Sequence, residues 1–152
     1  MNIEAYNVHK AIGNHPVAKR IMNGAINEHP MIKEVQIGRH TIEAKGMFDI
    51  YNKQLNVIAD IKTTSAKTIN TFGEDMLKHY NHIQAAWFAK VAGVDPSSFY
   101  YIGVPARAKQ DSSTENDIFV CRHSDHDLQQ ANFLIEDYIR KEWDTVKNSF
   151  AK

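Results

Sequence analysis

The stretch MIKEVQIGRHTIEAKGMFDIYNKQLNVIADIKTT, from Met31 to Thr64, decides the fold. Met31 to Ile37 and Thr41 to Tyr51 alternate apolar with polar residues and are rich in β-branched and aromatic types, the pattern of half-buried strands. Gly38-Arg39 lies between them, where a tight hairpin turn belongs, and Asn52-Lys53-Gln54 makes the next turn. Leu55 to Thr64 reads as a third strand, mostly apolar in its first half as a buried central strand should be.

Outward from this stretch the periodicity becomes helical. Towards the N-terminus, Val8, Ala11, Ile12, Val17, Ile21 and Met22 recur at helical spacing, with Asn14-His15-Pro16 as a break, so one or two short helices are expected over Ile3 to Met22. Beyond Lys62, the residues Phe72, Met76, Leu77, Tyr80, Ile83, Gln84, Trp87, Phe88 and Val91 form one stripe, which predicts a single helix ended by Gly93. Ser98 to Val104 and Asp117 to Arg122 read as two further strands joined by the polar loop Ala108 to Asn116. Leu128, Ala131, Leu134, Ile135, Tyr138, Ile139, Trp143, Val146 and Phe150 mark a long C-terminal helix. The order α, three β, α, two β, α gives an α/β (α+β) chain, a central mixed sheet flanked by helices. No repeat, low-complexity tract or linker interrupts it, and 152 residues suit one domain over 1–152.

Composition excludes the extremes. A hydrophobic content of 43% and a charged content of 24% are unlike those of disordered or membrane chains. Eighteen Lys and Arg balance eighteen Asp and Glu, so contact with a polyanion must rest on a local basic surface or on a bound cation. Cys121 is alone, which excludes an intrachain disulfide and any zinc site of several thiolates, and fits a reducing compartment. No signal-peptide core and no run near the roughly 18 apolar residues of a membrane span occurs.

The candidate chemistry sits at the end of the third strand. In Asp60-Ile61-Lys62, strand alternation sends Asp60 and Lys62 to one face and Ile61 to the other. Asp49, near the end of the preceding strand, is free to approach them across the short turn. A hard divalent cation such as Mg²⁺ or Mn²⁺ wants carboxylate oxygens and water, which Asp49 and Asp60 can supply, with the Ile61 carbonyl as a further ligand. Lys62 cannot ligate while charged; its task would be to orient or deprotonate a water, or to stabilise charge growing on a phosphate. Glu34 is a further candidate carboxylate for metal or water. The alternative for Asp60 and Lys62 is a solvated ion pair worth about 0–1 kcal/mol.

Gln84 interrupts an otherwise apolar stripe four residues after Tyr80, so both are expected to point inward. A buried amide must find partners. It is either a core glutamine bonded to a strand, with Tyr80 filling space, or a site group that bonds a carboxylate, a metal-bound water or the DNA backbone, with Tyr80 in support.

These residues together resemble the PD-(D/E)XK nuclease superfamily. Asp49, within Gly46-Met47-Phe48-Asp49, fills the first acidic position, with Phe48 where the family usually has proline, and Asp60-Ile61-Lys62 fills the (D/E)-x-K. Within it the chain is most similar to the phage-type recombination exonucleases, the exonuclease VIII and lambda exonuclease group. The likeness runs through His15-Pro16-Val17-Ala18-Lys19-Arg20, the Glu34 strand, Asp60 to Thr64 and Tyr80-Asn81-His82-Ile83-Gln84-Ala85-Ala86-Trp87-Phe88, over about residues 15–105. The resemblance implies an αβββαβ core, two Mg²⁺ or Mn²⁺ ions, and hydrolysis of DNA phosphodiester bonds from 5′ ends of duplex DNA by ring-forming enzymes. The chain is short beside those enzymes, whose longer N-terminal region helps shape the DNA channel.

The expected catalytic set is therefore Asp49, Asp60, Lys62, Glu34 and Gln84, with Asp49, Asp60, Ile61 and Glu34 around metal. Tyr80, Thr63, Lys67 and Lys78 are the candidates to touch DNA, with Arg107 and Lys109 as further cations. The expected partners are DNA ends, a single-strand annealing protein and further copies of the chain, with no membrane contact, in the cytoplasm of a bacterial cell or phage-infected host. The alternatives are a structure- or site-specific endonuclease of the same superfamily and a non-catalytic DNA- or partner-binding module on that fold. Glu43 reads as an exposed hairpin acid, and the eight histidines, His79 and His82 among them, as surface residues, since no HExxH-like ligand set accompanies them.

Overall fold

The computed structural model describes residues 2–109 and 118–145. Helices α1 (Ile3–Asn14) and α2 (Pro16–Met22) open the chain and are separated by His15. Its extended backbone ends α1, and its Nδ1 accepts the Ala18 N–H, capping α2, while Pro16 takes a first-turn position that needs no amide hydrogen.

The strands β1 (Ile26–Ile37), β2 (His40–Asn52), β3 (Val57–Thr64), β4 (Phe99–Pro105) and β5 (Phe119–Cys121) lie side by side in chain order. Gly38, at φ +59°, turns the β1–β2 hairpin and sets Ile37 opposite His40. Among the described residues only β3 and β4 are parallel, and the crossover between them carries helices α3 (Ile69–Lys78) and α4 (Asn81–Ala92). Helix α5 (Asp125–Lys141) follows β5, its start capped by the Ser124 hydroxyl, which accepts the Asp127 N–H.

The single helix expected over Phe72 to Val91 is two helices. Tyr80 lies in the left-handed region at φ 58°, ψ 26°, which breaks the hydrogen-bond ladder and resets the helical phase. The buried face of α4 is consequently His82, Ala85, Ala86 and Ala89. Tyr80 does not point inward with Gln84: it is 68% exposed. In the C-terminal helix, Val146 and Phe150 lie outside the described residues, as do Asp117 and most of the polar loop before β5.

The sheet is covered on both faces. Ile37, Phe48, Ile58, Phe99 and Tyr101 pack with Phe72, Ala85, Ala131 and Ile135 beneath α3, α4 and α5. Ile50, Ala59, Ile102 and Val104 pack with Ile12, Ala18 and Ile21 beneath α1 and α2. Consecutive β3 residues, Ile58 and Ala59, thus belong to opposite cores, which is why this strand reads as a continuous apolar run.

Candidate active site

Asp49 sits where two regular patterns stop. Along β2, Ile42, Ala44 and Phe48 face the first core but Ile50 faces the second, so alternation slips across Asp49. On β1 the register passes from His29 opposite Phe48 to Asn27 opposite Ile50, and the intervening Glu28 has φ +50°. Such an irregularity re-aims a side chain at the rim of a sheet.

The β2–β3 ladder is also short. It pairs Asn52 with Val57, Tyr51 with Ile58 and Ile50 with Ala59; the next pair would be Asp49 with Asp60, and there the strands part. Asp49 Oδ2 accepts the Ile61 N–H at 3.0 Å, taking the place of a backbone acceptor. On the other side β3 stays paired, with Asp60 opposite Tyr101 and Lys62 opposite Gly103.

Asp60 is buried, and Lys62 Nζ lies 2.8 Å from its Oδ2. That approach makes an ion pair, although its angle leaves Oδ2 without an aligned hydrogen-bond donor. Burial first, and then the neighbouring Asp49 carboxyl, push the Asp60 carboxyl up to about 6, with Lys62 pulling the other way. Two carboxylates held together against their repulsion are the donor set that a divalent cation relieves.

Those donors fit a hard cation. Among the described residues no group of three His, Cys, Asp or Glu is placed to hold an ion, so a cation here would draw on Asp49, Asp60, the Ile61 carbonyl and water. Mg²⁺ and Mn²⁺ accept this, because Mg²⁺-type sites commonly use one or two carboxylates and retain several waters. Gln84 adds a related observation: it is half-buried on α4, and its Oε1 is buried with no protein donor among the described residues. Such an acceptor costs about 1–3 kcal/mol unless a donor reaches it from outside the chain.

Glu34 is not brought to this cluster. It is exposed on β1 opposite Glu43, six residues along the strand from the position facing Asp49, about 20 Å at strand rise. Thr63, Lys67 and Lys78 are exposed together with Tyr80.

Two of the histidines expected at the surface, His82 and His123, are buried, and His123 packs edge-on against Tyr101. The Tyr101 hydroxyl donates to the Asn81 carbonyl at 2.5 Å and lies 3.2 Å from His123 Nε2. The His82 and His123 rings meet edge-on with centroids 5.9 Å apart. Burial, and then the charge of His82, lower His123 to about 4, while burial and the charge of Asp60 hold the Tyr101 phenol far above its usual range.

A five-stranded mixed sheet flanked by helices, with two aspartates meeting where β2 and β3 part and a lysine two residues on, defines the PD-(D/E)XK nuclease superfamily. The chain belongs to a family within it: residues 3–94 match the model of the PDDEXK-like domain of unknown function, DUF3799. The fold is also that of a crystal structure named "Putative exonuclease" from Eubacterium rectale. It has a TM-score of 0.59 and 20% identity, over 98% of this chain and 55% of that one. A second solved structure, SSO0001, aligns over 87% of this chain and 57% of its own, at a TM-score of 0.48 and 16% identity. This chain thus spans little more than half the length of either solved structure. A search of the curated proteins finds no match.

Proposed function

We propose that this chain is a metal-dependent deoxyribonuclease that hydrolyses DNA phosphodiester bonds, acting as an exonuclease on double-stranded ends, from the 5′ side, in phage-type recombination. The observation that carries the reading is the meeting of Asp49, Asp60 and Lys62 at the point where β2 and β3 separate. Asp49 and Asp60, with the Ile61 carbonyl, would hold Mg²⁺ or Mn²⁺, in two ions as in the superfamily generally; when bound, the metal supplies positive charge against the phosphate and makes water a better nucleophile.

The chain's own groups do the rest. The Asp49 carboxylate is oriented by the Ile61 amide, which fixes one of its oxygens, and it lies against the Asp60 carboxyl. Lys62 Nζ, close to Asp60, would hand a hydrogen bond to a phosphate oxygen or hold the attacking water. Gln84 is half-buried on α4, and its amide would bond that water or the DNA backbone. Tyr80, Thr63, Lys67 and Lys78 are exposed and available to the DNA backbone, which suits a chain with no net positive charge to attract DNA over its whole surface.

The test is a cleavage assay on end-labelled linear duplex and covalently closed circular DNA, with Mg²⁺, Mn²⁺ or chelator, for the native chain and Lys62→Ala. The reading expects metal-dependent shortening of the linear substrate, an intact circle, and loss of activity in the variant. Cutting of the circle would make the chain an endonuclease of the same superfamily. No cleavage, together with no Mn²⁺ binding by calorimetry, would make it a non-catalytic module. Unchanged cleavage by Lys62→Ala would remove the role assigned to that lysine.

A further inference from the structure

Tyr101 joins the two halves of the candidate site. It is the register partner of Asp60 in the parallel β3–β4 pair and is fully buried on the face covered by α3, α4 and α5. Burial first, and then the negative charge of Asp60, hold its phenol far above the usual range. Its hydroxyl reaches away from the sheet and donates to the carbonyl of Asn81, in the first turn of α4. Gln84 lies three residues further on, on the neighbouring turn of the same helix.

His123 completes the arrangement. Because the Tyr101 hydroxyl hydrogen is given to Asn81, the contact with His123 Nε2 requires the imidazole to donate, so a neutral ring protonated at Nε2 holds the hydroxyl in its donor role. The hydrogen bond to Asn81 ties to the sheet a turn at which α4 begins abruptly. Tyr80 precedes it in a left-handed conformation, and among the described residues no side chain caps its first amides.

We propose that Tyr101 is a positioning residue that fixes the first turn of α4 against β4 beside Asp60, and so sets where Gln84 presents its amide, with His123 as the group that orients the Tyr101 hydroxyl. The proposal rests on the nuclease reading for its consequence in catalysis, but the anchoring itself is independent of that reading. Supporting groups of this kind commonly change activity 10–100-fold without touching substrate.

The experiment is Tyr101→Phe, which removes one oxygen and keeps the ring, alone and combined with Gln84→Ala. In Mg²⁺-dependent cleavage of linear duplex, Tyr101→Phe is expected to lower kcat on the order of tenfold with KM within about twofold. In the Gln84→Ala background it should lower kcat no further, since its effect passes through that residue. Full kcat in Tyr101→Phe, or a loss that multiplies with that of Gln84→Ala, would overturn the proposal. Hydrogen exchange separates this from a failure of the nuclease reading. Amides of residues 83–86 should lose protection in Tyr101→Phe while those of β3 and α5 keep theirs, whether or not the native chain cleaves DNA. Unaltered protection there would defeat the anchoring even in an active enzyme.

Discussion

The Asp49 carboxylate accepts the backbone N–H of Ile61 at 3.0 Å, so one candidate ligand is held in place by the residue that separates the other two members of the motif, Asp60 and Lys62. The bond does two jobs. It satisfies an amide at the point where the β2–β3 ladder ends, and it brings a carboxylate beside Asp60.

These two jobs can be separated by substitution. Asp49→Asn keeps an oxygen that can accept the Ile61 N–H, so its unfolding free energy should stay within about 1 kcal/mol of the native value while metal-dependent cleavage is lost. Asp49→Ala leaves that amide without its acceptor and should cost about 1–3 kcal/mol as well. Urea denaturation of both variants beside a cleavage assay checks this, and equal stability of the two would mean that the hydrogen bond contributes nothing.

Lys62 is the group that holds the Asp60 carboxyl down against burial and the neighbouring Asp49. Lys62→Met removes the charge but keeps an unbranched side chain, so the Asp60 carboxyl should titrate higher than about 6 in the metal-free protein. A carboxyl titration by NMR reads this directly. A lower value would show that the ion pair does not govern that carboxyl.

The segments that could be read from the sequence are those in which local geometry leaves one answer. An alternation of two forces Asp60 and Lys62 to one face, and Gly38 marks a turn that needs positive φ, so the hairpin and the acid–lysine pair follow from Met31 to Thr64 alone. The break at Tyr80 was not readable, because a left-handed tyrosine carries no compositional signal and the apolar stripe continues through it. The distance of Glu34 from Asp49 depends on which β1 residue faces Asp49 across the hairpin, and that residue is Glu28. The Tyr101, Asn81 and His123 contacts join three separate elements and have no period at all; the apolar spacing of Ala85, Ala86 and Ala89 was the one available hint that His82 turns inward.

Tyr80 is itself testable. It holds a left-handed backbone while 68% of it is exposed, and its ring contact is with His82 at a centroid distance of 6.0 Å. Glycine adopts that conformation without the Cβ penalty of roughly 1–2 kcal/mol, which offsets the greater freedom it regains on unfolding. Tyr80→Gly should therefore unfold within about 1 kcal/mol of the native chain. If Tyr80 contacts DNA as proposed, its affinity for duplex should nevertheless fall several-fold. Unchanged binding by fluorescence anisotropy would remove Tyr80 from the DNA-contacting set.

The pH dependence of stability offers a test of the buried His123. Its folded pKa of about 4 lies below its ordinary 6.5, because burial and His82 oppose the charged ring. The unfolded chain therefore takes up a proton that the fold refuses, and the contribution of His123 to stability, intact above pH 6.5, is lost as pH falls towards 4. Between pH 7 and 5 the loss amounts to about 2 kcal/mol. Asp60 works in the opposite sense over the same range. Its folded pKa of about 6 exceeds its ordinary 3.8, so the folded chain gains the proton first and is stabilised by about 1 kcal/mol on acidification. In chelator, the native chain should accordingly show a weak dependence and Asp60→Asn a steeper one, with a fall of about 2 kcal/mol from pH 7 to 5. Adding His123→Gln to Asp60→Asn should flatten the profile again, since no imidazole remains at that position to titrate. A double variant as acid-sensitive as Asp60→Asn would place the titrating group elsewhere.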